Sequence, residues 1–401
     1  MKHRALFLCM LFGVFAVTAE PAVAKEKYAP GVTDTEIKVG QTMPYSGPAS
    51  AWGTVGLAEL AYIKMINDQG GIGGRKINLI SLDDGFSPPK TVEQTRKLVE
   101  DEEVAFIYGT LGPGNAAIRR YLNDKRVPHL FVVAPLEKFN DPKHFPWTMG
   151  LQPTFYLEGK LHGEYILAHK PDARIAVLFP NDDAKEAVRG LRDGLGGQAD
   201  KLIVKELSYE VTDPTIDSQI VALKTSGANV FYDVTTPRSA AQAIRKSAEI
   251  GWRPLHFLSF ISQSIPAVLQ PAGLENSTGI ISAQFAKDPL DPLWKDDAYT
   301  KDLLNWLQKY YPGGQPNDAF LVAGYNFAHP LIQLLRQCGD DLSRENILRQ
   351  AESLHEVMLP WLLPGITLNT GPNDHQPIKE FRAVRFNGTG WEPLEAGSLK
   401  P

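Results

Sequence analysis

Residues 37–84 constrain the fold more than any other stretch, because they show the pattern of a strand, a glycine-rich loop, a helix and a second strand. Ile37–Met43 is rich in side chains that favour β-structure. From Trp52 onwards apolar side chains recur at helical spacing until Gly70–Gly74 ends the helix. Lys76–Leu82 then returns as a strand. A unit of this length predicts a parallel, right-handed βαβ crossover.

The loop between the first strand and the helix is Pro44–Gly53. Pro44, Gly47 and Pro48 cannot continue either a strand or a helix. In a parallel crossover this loop lies at the carboxyl end of the first strand, which is the edge where open α/β sheets bind ligands. The loop is therefore the first candidate ligand-binding segment.

Residues 1–24 have the composition of a cleavable secretory signal. Lys2 and Arg4 form a basic start, and Ala5–Val17 is an apolar run that is too short to span a bilayer. Ala22–Ala24 offers a small-x-small cleavage site, and a buried amino-terminal helix is the alternative interpretation. No later stretch has the composition of a transmembrane segment. We therefore expect a soluble, exported protein that does not insert into the membrane.

The cysteine content predicts a fold without disulfides. Cys9 lies within the expected signal, so the mature chain would keep Cys338 alone, which we interpret as a buried structural thiol. Stability must then come from hydrophobic cores, and 401 residues are enough for two domains.

The charge balance disfavours two classes of partner. Loss of Lys2, Arg4 and Glu20 with the signal would leave 39 of the 41 basic residues and 45 of the 46 acidic residues. No cluster of lysine or arginine stands out along the chain. Nucleic acid and anionic membrane surfaces are therefore not expected as partners.

Two similar sets of strand–helix pairs follow each other along the chain. The predicted strands are Val104–Tyr108, Val127–Val133, Arg174–Phe179, Asn229–Val234, Leu255–Phe260 and Phe381–Phe386. Further helices are predicted at Tyr299–Tyr310, Asp318–Gln337 and Ser343–Leu354. Most of these strands end in a small or polar loop that precedes a helix. The layout predicts two α/β lobes whose strand-end loops face each other across a cleft.

The chain is expected to pass three times between these lobes, at Phe139–Gln152, Gly279–Phe285 and Leu359–Gly365. Three crossings form a hinge that allows the lobes to close by rotation. The predicted division is a signal at 1–24, an amino-terminal lobe at 30–148 plus 284–357, and a carboxyl-terminal lobe at 149–283 plus 358–398.

Several motifs are candidates for catalytic or cofactor sites. Gly109–Asn115 ends a strand and opens a helix, so its N–H groups suit a carboxylate, although a simple tight turn fits equally well. It matches neither the phosphate-binding loop nor the dinucleotide fingerprint. The acidic pairs Asp83–Asp84, Asp182–Asp183 and Asp340–Asp341 are interpreted as strand ends and helix caps. With no G-x-S-x-G or H-E-x-x-H motif, we expect no catalytic residues, metal or cofactor.

Several segments taken in order resemble one family across residues 30–395. They are IKVGQTMPYSGPASAWG (37–53), INDQGGIGGRKI (66–77), LDDGFSPPKTVEQTRKLVEDEEV (82–104), RIAVLFPNDD (174–183), DPTIDSQIVALKTSGANVFYD (213–233) and PAGLENSTGIISA (271–283). The chain thus resembles the periplasmic solute-binding proteins of ABC importers, in the branched-chain amino-acid-binding family. The resemblance implies two Rossmann-like lobes with parallel sheets and a three-crossing hinge, the type I periplasmic binding fold.

The resemblance also implies a monomer that holds a small-molecule ligand between its lobes and docks on an ABC permease in the inner membrane. Its strand-end loops supply the ligand contacts. Carried over position by position, the ligand-binding residues would be Ser46, Trp52, Gly112, Gly114, Asn115, Ala134, Pro135, Gln152, Phe155, Tyr156, Thr235, Thr236, Phe260 and Ser262. Each aromatic residue in this set could equally belong to a core.

The sequence departs from the family's amino-acid binders at three points. Such proteins place an acid in the loop equivalent to Phe260–Ser262, where it pairs with the ligand's ammonium group, and this chain has none there. A Tyr-Gly pair is replaced by Ala184-Lys185, and the serine pair that commonly binds the carboxylate is missing from the first-lobe loop. We therefore expect a small organic acid, with an aromatic or apolar carboxylate favoured over leucine, isoleucine or valine.

Two other functions stay open from the sequence. A ligand-sensing module that reports to a membrane receptor would have the same lobes and the same cleft. An exported α/β hydrolase is the more distant alternative, because the chain lacks the corresponding nucleophile and metal motifs.

Overall fold

The computed structural model describes residues 28–394, which form two sheets with helices packed on their faces. The predicted signal at residues 1–24 lies outside the described residues, as do residues 395–398 of the predicted second lobe. Within 28–394, no helix has both the length and the apolar character needed to cross a bilayer.

The first sheet has five parallel strands in the order β2-β1-β3-β4-β5. They are β1 (Glu36–Met43), β2 (Lys76–Asp83), β3 (Phe106–Tyr108), β4 (His129–Val132) and β5 (Thr148–Gly150). The predicted parallel pairing of β1 with β2 is confirmed in register along both strands, from Glu36–Lys76 to Met43–Asp83.

The second sheet has seven strands in the order β12-β11-β10-β9-β8-β6-β7. They are β6 (Ile175–Pro180), β7 (Ile203–Tyr209), β8 (Val230–Asp233), β9 (Leu255–Leu258), β10 (Ile281–Gln284), β11 (Arg382–Phe386) and β12 (Trp391–Pro393). Strands β6 to β10 pair in parallel, whereas β11 and β12 add an antiparallel edge. Gly279–Phe285, expected to be a passage between lobes, thus contributes a strand first, and the passage follows β10.

Within residues 28–394, thirteen α-helices connect and cover the strands. They are α1 (Gly53–Asp68), α2 (Pro88–Arg96), α3 (Gly114–Asp124), α4 (Phe155–His169), α5 (Glu186–Leu195), α6 (Ala199–Leu202), α7 (Asp217–Thr225), α8 (Pro237–Glu249), α9 (Gln270–Ala272), α10 (Leu274–Ser277), α11 (Ala298–Tyr310), α12 (Ala319–Cys338) and α13 (Arg344–Ala351). Two π-helical turns, Lys97–Asp101 and Ile265–Leu269, supplement them.

The chain passes three times between the sides of the two sheets. It leaves the first sheet after β5 and returns to that side after β10, where α11 and α12 pack on α1. It then goes back to the second sheet at β11. The fold is therefore the predicted α/β architecture of two mostly parallel sheets joined by three crossings.

Helices α4 and α5 approach each other backbone to backbone. A Cβ atom added to Gly159 of α4 would overlap the carbonyl oxygen of Ala187, and one added to Gly190 of α5 would overlap that of Tyr156. Gly163 and Gly194 continue the same contact one turn further along each helix. The two glycines of each helix are four residues apart and therefore lie on the same helix face. These two glycine faces permit the close contact between the helices.

Cys338 ends α12 and is buried in the core on the side of the first sheet. Burial raises the pKa of its thiol to about 12, so the thiol is protonated at neutral pH. This environment matches the structural thiol expected from the sequence.

Candidate functional site

A cavity of about 210 Å³ lies between the two sheets. Its walls come from segments that follow strands of both sheets: Trp52 follows β1, Leu111–Pro113 follows β3, Asp182–Ala184 follows β6 and Thr236 follows β8. In each sheet the chain order reverses between two of these strands, β1 and β3 in the first and β6 and β8 in the second. The cavity thus occupies the place where open α/β sheets bind ligands.

The structure brings eight of the sequence-predicted residues together in the cavity wall. They are Trp52, Gly112, Ala134, Pro135, Gln152, Phe155, Thr236 and Phe260. They come from both sheets and from the passage after β5. Their contact with a ligand stays a prediction, but their placement is what such contact requires.

Six predicted residues lie outside the cavity wall and are engaged elsewhere. Ser46 is exposed and donates from Oγ to Asp83 at 2.6 Å. Tyr156 donates to Asp193 at 2.9 Å. Gly114 packs against the side chain of Thr91 on α2.

The remaining three of these support the loops behind the wall. The Asn115 amide donates to the backbone oxygens of Thr110 and Gly112 at 3.0 and 2.9 Å, which ties down the loop after β3. The Thr235 hydroxyl donates to Asp233 at 2.6 Å, and the Ser262 hydroxyl donates to the Thr235 carbonyl at 2.6 Å. Direct contact of these three side chains with a ligand remains a prediction. Their neighbours Gly112, Thr236 and Phe260 are the residues that line the cavity.

Eight aromatic side chains contribute to the cavity wall. Trp52 lies 5.3 Å from Phe86, and Phe260 lies 6.2 Å from Phe155 and 6.0 Å from Phe285, measured between ring centroids. Burial of an apolar ligand against such surfaces contributes about 25 cal/mol per Å² of area removed from water. The cavity therefore suits a ligand with an apolar body.

Gly112 shapes the end of the wall nearest the first sheet. Its φ of +100° is a conformation that other residues rarely adopt, and an added Cβ would come within 2.6 Å of the Phe86 ring. Glycine is therefore required here on two grounds, backbone angle and space.

The charged groups of the wall are mostly acidic. Asp183 pairs with Lys138 at 2.5 Å, and Lys287, the one lysine in the wall, pairs with Asp297. Asp182 forms no ion pair with any described residue, and burial raises the pKa of its carboxyl to about 6. The one lysine of the wall is thus already paired with an acid. An anionic ligand would therefore be bound by neutral hydrogen-bond donors.

Neutral polar groups are available in the same wall. Gln152 is one of the neutral polar residues of the wall, and the Asn317 Oδ1 is buried without a partner among residues 28–394. A buried acceptor without a partner is costly, so a ligand donor at Asn317 would be stabilising. The cavity can therefore hold a ligand that has an apolar body and a few polar groups.

The cavity wall includes segments that sequence reasoning missed. They include Phe86, the residues around the second passage, residues before and in the first half of α12, and one residue of β12, namely Ala283–Pro289, Pro316, Asn317, Phe320, Val322, Ala323, Asn326, Phe327 and Trp391. No local motif marks these residues. They reach the cavity only because the chain returns to the first sheet there.

Two hydrogen bonds from the segment after β9 reach the first-sheet side beside the cavity. Trp52 donates from Nε1 to the carbonyl oxygen of Ile261 at 3.1 Å. Ser264 donates from Oγ to Asp318, the cap of α12, at 2.9 Å. Both start or end in the segment after β9, so this segment touches the first-sheet side at two points.

Among residues 28–394, no group of three or more His, Cys, Asp or Glu side chains is placed to hold a metal ion. His129 and His162 are both buried, and burial lowers the pKa of each to about 3. What the described site offers is an enclosed, aromatic-walled space.

The chain matches the family model described as periplasmic binding protein over residues 36–390. A curated relative, the Leu/Ile/Val-binding protein homolog 1 of Brucella suis biovar 1, is 25% identical over 325 residues, which are 77% of this chain and 81% of the relative.

Solved structures show the same fold. A branched-chain amino-acid ABC transporter protein from Thermus thermophilus with bound valine is 14% identical with a TM-score of 0.78, covering 91% of this chain and 96% of the other. A solute-binding protein from R. palustris in complex with benzoate is 20% identical with a TM-score of 0.75, covering 90% of this chain and 95% of the other. The chain therefore belongs to the periplasmic binding protein family, as a type I protein of its branched-chain amino-acid-binding branch.

Proposed function

We propose that this protein captures a small organic acid between its two lobes in the periplasm and delivers it to an ABC permease of the inner membrane. The observation that carries the proposal is the enclosed, aromatic-walled cavity between the strand-end loops of the two sheets. The family and fold are those of solute-binding proteins, which supports binding rather than catalysis.

The size and wall of the cavity favour a single ring or a short branched chain with one polar head. An apolar protein cavity of about 150 Å³ is enough to hold benzene, and this cavity measures about 210 Å³. We propose an aromatic or apolar carboxylate as the first ligand class. The absence of an acid between Phe260 and Ser262 supports this choice, and the benzoate complex of the R. palustris protein provides a precedent in the same fold.

One observation favours a branched-chain amino acid as the second ligand class. Asp182 reaches the cavity wall without an ion-pair partner, and an ammonium group beside it would hold its carboxylate in the charged form. The bound valine of the Thermus thermophilus protein is the corresponding precedent.

Ligand screening tests the proposal directly. The purified protein is first analysed by native mass spectrometry for a co-purified ligand, and then heated with benzoate, substituted benzoates, short branched carboxylates and the three branched-chain amino acids. We expect at least one compound to raise the melting temperature. A protein that is stabilised by none of these compounds, and that instead turns over ester or amide substrates, would overturn the proposal.

The variant Asp182→Asn separates the two ligand classes. If the ligand is a carboxylate without an ammonium group, the variant removes a repelling charge and should bind it equally or more tightly. If the ligand is an amino acid, loss of an opposing charge should weaken binding about tenfold or more. Isothermal titration calorimetry with benzoate and leucine distinguishes the two outcomes.

Delivery to a permease is tested in cells. Deletion of the gene should abolish uptake of the radiolabelled compound identified by screening, and re-expression should restore it. Unchanged uptake together with a lost transcriptional or motile response would instead support a sensing function.

A further inference from the structure

Glu158 is a fully buried acid in the first turn of α4 that has no place in the ligand site itself. Its two carboxyl oxygens contact two consecutive residues at the end of β9. Ser259 donates from its hydroxyl to one oxygen at 2.7 Å, and the backbone N–H of Phe260 donates to the other at 2.6 Å. Glu158 therefore holds both the Ser259 hydroxyl and the Phe260 backbone in place where the chain leaves β9.

The chain that leaves β9 at this point is what we call the closing segment, Ser259–Ser264. Its Phe260 ring is part of the cavity wall. Its Ile261 carbonyl and Ser264 hydroxyl make the two hydrogen bonds to the first-sheet side, at Trp52 and Asp318. One short segment thus lines the cavity and touches the opposite side of the molecule.

Other residues also hold the closing segment. The Gln263 carboxamide donates to the Ser282 hydroxyl and the Ala283 carbonyl, and the Trp391 indole donates to the Gln263 carbonyl. The Ser259 N–H donates to the Asp233 carbonyl at 2.8 Å, and the Ser262 hydroxyl donates to the Thr235 carbonyl at 2.6 Å. Glu158 is the one described side chain outside the segment that takes the Phe260 N–H. The direction in which Phe260 and Ile261 project therefore depends on it.

We propose that Glu158 is a positioning residue that sets the closing segment, so that Phe260 walls the cavity and Ile261 meets Trp52. The proposal depends on the proposed function only in taking the cavity as the ligand site. The role requires one acceptor for the Phe260 N–H and one polar atom for the Ser259 hydroxyl. A hydroxyl can either donate or accept, so a glutamine at position 158 can satisfy both contacts.

The burial of Glu158 is consistent with a side chain that holds the closing segment in its uncharged, protonated form. It raises the pKa of Glu158 to about 8, so the protonated carboxyl is present at neutral pH and resembles a carboxamide in shape and hydrogen bonding. Glu158→Gln should therefore keep the closing segment in place, whereas Glu158→Leu retains the volume but removes both contacts.

Hydrogen exchange of the ligand-free, full-length exported protein, followed by mass spectrometry, tests the proposal. The readout is the exchange rate of the amides from Phe260 to Gln263, relative to the amides of β8 in the same sheet. We expect Glu158→Leu to raise this relative rate about tenfold or more, because a buried N–H loses its acceptor. Glu158→Gln should stay close to the wild type.

Glu59→Leu is the matched control. Glu59 is a second fully buried acid, on α1, and its bond to Gln41 lies on the side of the first sheet. This variant should lower overall stability without changing the relative exchange of the closing segment. Equal effects of Glu158→Leu and Glu59→Leu on that segment would overturn the proposal, as would unchanged exchange in Glu158→Leu.

A milder variant keeps the test decisive if Glu158→Leu does not fold. Ser259→Ala removes one of the two contacts and leaves the acid in place. It should raise the relative exchange of Phe260 by a smaller factor, and no change would count against the proposal. Because all measurements use the ligand-free protein, their outcome is independent of whether the ligand screen succeeds.

Discussion

At the scale of single residues, the buried acid Glu59 makes the stability of the protein dependent on pH. Burial raises the pKa of Glu59 to about 8 from its usual value of 4.5, while its hydrogen bond from Gln41 opposes part of this effect. The folded protein therefore holds a proton on Glu59 over a pH range in which the unfolded chain has lost it. The contribution of Glu59 to the free energy of unfolding is therefore full below pH 4.5 and is lost as the pH rises towards 8.

We therefore predict that Glu59 contributes a difference in urea stability that favours pH 5 over pH 8, against the opposite slope that the buried His129 and His162 contribute between pH 5 and 6.5. Glu59→Gln keeps an acceptor for Gln41 but does not titrate, so it should reduce this difference, although Glu158 contributes a slope of the same sign. Urea midpoints at the two pH values measure the effect. Glu93→Gln, on the exposed face of α2, is the control and should leave the difference unchanged.

Single residues also show where sequence reasoning about the site was sufficient and where it was not. Trp52 and Phe260 were predictable because each lies in the segment that follows a strand, and that position places it near the cavity. Ser46 also follows a strand end, but Asp83 at the end of the neighbouring strand takes its hydroxyl. Competition between a ligand and a nearby side chain cannot be read from spacing alone.

At the scale of elements, the contact between α4 and α5 depends on glycine. A methyl group at Gly159 would overlap backbone atoms of α5, which cannot move aside as the end of a side chain could. The two helices would have to separate along their length. The cost should therefore reach or exceed the range of about 1–3 kcal/mol typical of overpacked cores.

We predict that Gly159→Ala lowers the free energy of unfolding by about 3 kcal/mol, as measured in urea. Gly197→Ala is the matched control, because an added Cβ at Gly197 meets nothing within 4 Å. It should be neutral or slightly stabilising, since alanine restricts the unfolded chain. Equal costs for the two variants would contradict the close contact between the helices.

Elements with a continuous apolar pattern were predictable, and short or edge elements were not. The buried strands β3, β4, β6 and β8 are runs of apolar residues, and α12 shows helical periodicity over its whole length. Strand β7 lies at an edge and is mostly half-exposed, and β5 and β12 have three residues each. Their pairing comes from neighbouring strands rather than from their own composition.

At the scale of the whole molecule, the two-sheet architecture followed from the repeated strand–helix layout and the family resemblance. The part of the cavity wall formed by residues 283–289, by residues within 316–327 and by Trp391 did not follow from either of these. Its residues lie near the second passage, in the first half of α12 and in β12, far apart in sequence, and the fold alone brings them to one place. Loop and passage geometry of this kind has no periodicity that a sequence pattern could reveal.

The contacts between the two sides predict how the molecule closes. The hydrogen bonds from Trp52 to Ile261 and from Ser264 to Asp318 join the sides beside the cavity. Each contributes about 1 kcal/mol. Trp52→Phe combined with Ser264→Ala should therefore shift the ligand-free protein towards an open form, seen as a larger radius of gyration in small-angle X-ray scattering.

The control for this experiment removes the same chemical groups from sites where they have no partner. Trp306 Nε1 and Ser247 Oγ are buried without a hydrogen-bond partner among the described residues. Trp306→Phe combined with Ser247→Ala should leave the radius of gyration unchanged. A larger radius in both double variants, or in neither, would contradict a closing role for the two contacts.

The burial of Cys338 has a practical consequence for watching this motion. In a chain that starts at residue 25 it is the sole cysteine, and its buried, protonated thiol should resist maleimide reagents. Cysteines placed at Leu57 on α1 and Val221 on α7, both exposed, could then carry a donor and an acceptor dye without any change to the native thiol. Energy transfer between the dyes would follow the opening and closing of individual molecules in real time.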